Sequence, residues 1–161
     1  MIQFIQAEKT LFTDVPDDPY LGQLQHSVTV IKGGSQVNTI PDRAILQGNI
    51  RPTAVFANDK VIERLKQTIN HINHTTPYQL ELKILMSYQP IATNPKSVFV
   101  QNALHAAKAN FQNDVKLDII NGATDASVFT LKRPDLPVVV LGCDAWKRAH
   151  QKNEFTTISS F

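Results

Sequence analysis

The chain has 161 residues, long enough for one ordinary domain or two small ones, and a chain of that size buries roughly two-thirds of its unfolded surface. Hydrophobic residues at 42% and charged residues at 19% are near the globular average, which argues against a disordered or membrane-embedded chain. The net charge is only +2 and the basic residues are scattered, so no stripe suited to a phosphate backbone forms and nucleic acid is not an expected partner.

No stretch approaches the roughly 20 apolar residues of a membrane span, and the first residues form no secretory leader, so no membrane partner and a cytoplasmic location are expected. The lone Cys143 has no second cysteine to pair with, which fits a reducing compartment.

In chain order, Phe4, Ile5 and Leu11 give the start a short helical character, which the Pro and Asp residues of 13–19 cannot continue. The chain is expected to enter within an element. The β-branched run Val28-Thr29-Val30-Ile31 predicts a strand over 26–32 that ends at Gly33-Gly34. Residues 44–51 predict a second strand closed by Pro52, with a turn at 38–42 between the two. Asn58 is a candidate N-cap for a helix to about Asn73, in which Val61, Leu65, Ile69 and Ile72 share a buried face.

Alternation of Leu80, Leu82 and Ile84 with Glu81 and Lys83 predicts a third strand. A boundary is placed near Gln89. Past Pro90, Asn94 and Pro95, the residues Val100, Leu104, Ala107 and Phe111 share one face of a second helix. A strand around Val115, Leu117 and Ile119 follows, then a loop at 121–125. The apolar run 136–141 suits a strand covered on both faces of an α/β layer.

His150 follows that run after a short loop, where α/β sheets place ligand sites; beside Gln151 and Glu154 it reads either as a metal ligand or as an ordinary surface histidine. His71 and His74 sit three apart with no carboxylate or thiol between them and read as a solvated helix end. His26 and His105 read as ordinary strand and helix residues. The segment 122–127 is either a turn whose N–H groups meet a substrate anion or a loop in which Thr124 or Asp125 caps a helix. Ser127 lacks a nucleophile-elbow pattern. Arg51, at a strand end, either holds a carboxylate with its planar fork or is a surface charge.

Four segments occur together: Gly33-Gly34-Ser35-Gln36-Val37-Asn38-Thr39-Ile40-Pro41-Asp42; Gly48-Asn49-Ile50-Arg51; Gly122-Ala123-Thr124-Asp125-Ala126-Ser127-Val128-Phe129; and Val138-Val139-Val140-Leu141-Gly142 leading into Ala149-His150-Gln151-Lys152-Asn153-Glu154. In this order they resemble the dinuclear-zinc amidohydrolase family of acetylornithine deacetylase, succinyl-diaminopimelate desuccinylase, aminoacylases and dipeptidases.

The resemblance implies an α/β protein in two parts. Residues 1–88 would be an α+β lid of ferredoxin-like type, incomplete at its N-terminus, through which a homodimer forms. Residues 89–161 would be the C-terminal part of a zinc-peptidase-like α/β domain. It implies that His150 is the last zinc ligand, that Asn38 and Arg51 grip the substrate, and that Gly122, Ala123 and Thr124 form a substrate-contacting loop. The complete enzyme would hold two zinc ions, or alternatively cobalt or manganese, and remove a succinyl or acetyl group from a small N-acyl amino acid; a dipeptidase and a non-catalytic dimerisation module are the alternatives. The family's His-x-Asp pair and Glu-Glu pair do not occur in these residues, so the sequence predicts a truncated chain with negligible activity by itself.

Overall fold

The structure is a computed structural model and describes residues 1–111, 114–120, 124–142, 152–156 and 158. The chain divides into two compact units, Met1–Pro90 and Ile91–Phe161.

In the first unit, helix α1 (Ile2–Glu8) leads through a series of turns into strand β1 (Gln25–Gly33), which pairs antiparallel with β2 (Ala44–Arg51). Helix α2 (Asn58–Thr75) follows. This is an α+β arrangement, as expected for the lid. The β-branched residues of β1 suit a pleated surface, and the register runs from Gly33↔Ala44 to Gln25↔Arg51 with an irregularity between Val28 and Val30. Gly48 sits opposite Val28 where the strands approach closely: a Cβ there would lie 2.8 Å from the carbonyl oxygen of Ser27.

Helix α2 lays Val61, Leu65, Ile69 and Ile72 on one buried face, as their spacing predicts. Val61 and Leu65 join Phe12 and Leu24 in the core, with Phe4, Leu11, Ile50, Phe56 and Leu82 packed around them. Arg64 ties the helix to the preceding turn. Its guanidinium makes a bidentate pair with Asp14 at 2.6 and 3.2 Å, donates to the carbonyl of Leu11, and lies 4.6 Å from the Phe56 ring centre. That guanidinium holds the exposed Asp14 carboxyl below the usual carboxylate range.

Two expectations for this unit change. Ala57, not Asn58, is the N-cap residue of α2, because the Asn58 amide is drawn away to donate to Ser87 Oγ at 2.7 Å and the carbonyl of Tyr88 at 2.9 Å. The predicted strand over 80–85 makes no ladder among the described residues. Alternation supplies a strand's side-chain pattern but not its hydrogen-bond partner; here the Leu80 N–H and C=O are both taken by the Asn73 side chain, at 2.7 and 3.0 Å.

In the second unit, helix α3 (Val98–Asn110) is capped by Ser97, whose hydroxyl accepts from the Val100 N–H. The short helix α4 (Ala126–Lys132) follows. Of the predicted shared face of α3, Val100 and Ala107 are buried, while Leu104 and Phe111 are half-buried. Residues 115–119 and 136–141, predicted as strands, make no ladder among the described residues. The Val138 N–H goes instead to the Thr93 hydroxyl at 3.0 Å.

The tight approach at Gly48 makes a test of the ribbon. Gly48→Ala pushes a methyl group against backbone, which cannot swing aside, and is expected to cost about 1–3 kcal/mol. A lower urea midpoint with an unchanged m-value is the expected readout.

Candidate functional site

Arg51 closes β2 and is half-buried. Of the described arginines, Arg64 and Arg133 are paired with carboxylates, whereas the exposed Arg43 and the half-buried Arg51 make no ion pair or hydrogen bond through their side chains among the described residues. A half-buried arginine whose donors have no partner among the described residues is the feature of this unit best suited to an anionic ligand.

The strand end that carries Arg51 is held by a buried carboxylate. Asp18 is 4% exposed, and its Oδ1 accepts from the N–H groups of Tyr20 and Leu21, both at 2.9 Å. Its Oδ2 accepts from the N–H groups of Ala54 at 2.9 Å and Val55 at 3.3 Å. The Asp18 backbone exchanges two further bonds with Gly22, at 2.8 and 2.9 Å. Gly22 has a φ of 72°, a conformation that costs a side chain but not a glycine. Burial pushes the Asp18 carboxyl up, but the four N–H groups outweigh it and leave the group below its ordinary value.

Asn38 lies elsewhere. It is exposed in the turn of the loop beyond Gly33↔Ala44, whereas Arg51 stands at the Gln25↔Arg51 end. At a rise of about 3.3 Å per residue the ladder between those ends is about 23 Å long, so the two expected gripping residues are not brought together within one chain. Thr124 is the described member of its loop. Its hydroxyl accepts from the Ala126 N–H at 3.2 Å, and its carbonyl accepts from Ser127 through both N–H and hydroxyl, so it serves the start of α4. Gly122, Ala123 and His150 lie outside the described residues, as does Cys143. Among the described residues no three His, Cys, Asp or Glu side chains stand together as a metal site would require, so the described part does not supply a zinc centre. No helix among them is long and apolar enough to cross a membrane.

Two contacts escaped sequence reasoning. His26 is not an ordinary strand residue: its Nδ1 lies 2.5 Å from Glu8 Oε1 and its ring packs edge-on to Phe12 at 5.1 Å, joining α1 to β1. Asp18 read only as part of a helix-breaking stretch, although Asp18-Pro19-Tyr20-Leu21-Gly22 has the composition of an Asx-type turn. The expectation for His71 and His74 needs no revision: both are exposed at the end of α2.

Comparison with known proteins adds what the chain is similar to. Residues 3–77 match the model of the peptidase dimerisation domain. The matched residues lie within the first unit. Over 141 residues, 86% of this chain, the sequence is 30% identical to a protein of Staphylococcus aureus (strain MRSA252) named probable succinyl-diaminopimelate desuccinylase. It is 27% identical over 128 residues, 79% of the chain, to a protein of the same name from Staphylococcus epidermidis (strain ATCC 12228 / FDA PCI 1200). The chain spans about a third of the length of these relatives, 34% and 31%. The likeness to the amidohydrolase family of the desuccinylases, drawn from the motifs, is therefore found across most of the chain.

The Asp18 carboxylate gives a pH test with a definite sign. Its folded value lies below the ordinary carboxyl value of 3.8, so its contribution is complete above about pH 3.8 and is lost as the pH falls through the lower folded value. Asp18→Asn should cost about 2 kcal/mol at neutral pH. Urea melts of both proteins from pH 7 to pH 2 should show that gap narrowing only below about pH 3.8. Asp14 and Asp135 have their values lowered too, by Arg64 and Arg133, but are present in both proteins and cancel.

Proposed function

We propose that this chain is part of a zinc-dependent hydrolase that removes a succinyl or acetyl group from an N-acyl amino acid, with a succinyl-diaminopimelate desuccinylase-like activity favoured. The observation that carries this reading is the similarity over 141 residues to proteins named as probable desuccinylases. In this reading the first unit is the lid and dimerisation domain, residues from about 89 onward belong to the catalytic domain, and the complete enzyme works in the cytoplasm as a homodimer. His150 is the zinc ligand this chain contributes, and bound zinc would polarise the amide carbonyl and acidify water. A dipeptidase of the same family remains the alternative within this class.

The residues of this chain bind and orient the substrate. The half-buried Arg51 fork receives a substrate carboxylate through two parallel N–H···O bonds, and a point charge such as lysine would not reproduce that geometry. Asn38, beyond the far end of a ladder about 23 Å long, reaches the same small substrate only from a second copy of the chain, which a dimerisation domain supplies.

In the complete gene product, Arg51→Ala is expected to raise KM for N-succinyl amino acids by about 10- to 100-fold, with a much smaller change in kcat. A zinc-free, inactive complete protein would overturn the reading. The 161 residues by themselves, which carry neither a His-x-Asp nor a Glu-Glu pair, are expected to hydrolyse no N-acyl amino acid even with zinc added. The match of residues 3–77 to a dimerisation domain also favours a second reading, a non-catalytic dimerisation module. Sedimentation of the chain as a monomer would remove it.

A further inference from the structure

The two-stranded ribbon poses a mechanical problem at Arg51. The terminal pairs of a ladder are the ones that open most readily, and Gln25↔Arg51 is the terminal pair among the described residues. Pro52 follows and has no N–H with which to extend the ladder. A guanidinium on a fraying end would sample many positions, and the entropy of fixing it would be charged against each binding event.

Asp18 counters that fraying from both strands. After Arg51 the chain makes a tight turn in which the N–H groups of Thr53 and Phe56 each donate to the other's carbonyl, at 3.3 and 3.2 Å. The N–H groups of Ala54 and Val55, inside that turn, are the ones Asp18 Oδ2 accepts. On the other strand, Oδ1 and the Asp18 backbone close the turn 18–22, which feeds through buried Leu24 into Gln25, the ladder partner of Arg51. One carboxylate thus holds the segment entering the ladder end and the segment leaving it.

Other roles for a buried carboxylate fit less well. Both oxygens already receive two N–H donors, which fills the lone-pair sites a proton or a metal would need. No cation pairs with Asp18 among the described residues. Its charge is spent on backbone N–H groups, through charge-assisted bonds that fix position more firmly than neutral ones.

We propose that Asp18 is the positioning residue for Arg51: its clamp on the end of the ladder sets the place from which the guanidinium meets the substrate carboxylate. This rests on the reading of Arg51 as the carboxylate-binding residue. The test is a double-mutant cycle on the complete enzyme, with KM and kcat measured for an N-succinyl amino acid in the wild type, Arg51→Ala, Asp18→Asn and the double variant. Arg51→Ala should raise KM by about 10- to 100-fold, and Asp18→Asn by about tenfold, with kcat within about twofold. In the Arg51→Ala background, Asp18→Asn should add nothing to KM.

If Arg51→Ala leaves KM unchanged, the reading of Arg51 fails and takes the inference with it. If Arg51→Ala raises KM but Asp18→Asn does not, or raises it by the same factor in both backgrounds, the inference alone is overturned. Asp14→Asn, which breaks the exposed pair with Arg64, is the control for general loosening of this unit and should leave KM where it was. Should Asp18→Asn not fold, Asp18→Glu carries the same test, because it keeps the charge and the acceptors while displacing the turn by about one methylene.

Discussion

The Asp18 carboxylate gathers four backbone N–H groups from two segments, one beside it in sequence and the other up to 37 residues away from it. Without it, the turn before β1 and the turn after β2 would each lose the acceptor of two N–H groups, and a hydrogen bond to a charged group contributes about 1.5–3 kcal/mol. With it, the open end of a two-stranded ribbon becomes a closed junction. The start of α2, only a few residues further on, inherits its place from that junction.

The rest of the first unit builds on this anchor. Helix α2 presses Val61 and Leu65 onto Phe12 and Leu24, and Ile50 of β2 packs against the same cluster. Arg64 pins the helix to the turn carrying Leu11 and Asp14, while the Glu8 and His26 contact joins α1 to β1. Polar contacts therefore fix the direction in which each element leaves the core, and apolar burial supplies the adhesion. The far half of the ribbon receives neither: Ile31 and Ile45 are exposed, and so is the loop that carries Asn38.

Legibility from sequence followed the range of the interactions concerned. The limits of β2 and the buried face of α2 could be read because β-branched runs and four-residue spacings are local. The alternation of 80–85 was equally local, yet produced no ladder among the described residues, since pairing depends on a neighbour that alternation does not name. Asn58 has the chemistry of a cap, but Ser87 and Tyr88 compete for its amide from about 30 residues away. Arg51 could be singled out by its place after Gly48-Asn49-Ile50 and before Pro52. That it is half-buried and has no carboxylate partner among the described residues depends on where every carboxylate in the unit lies.

By itself the sequence determined the family likeness, the succession of α1, β1, β2 and α2 and the arginine suited to an anion, because each rests on residue identity and short spacings. Only the tertiary structure decided that Asn38 and Arg51 stand at opposite ends of one ribbon and that Asp18 locks the Arg51 end. Both follow from antiparallel pairing, which sets Gly33 beside Ala44 and Gln25 beside Arg51. Such register brings distant positions together through hydrogen bonds between groups every residue carries, so no single residue announces it.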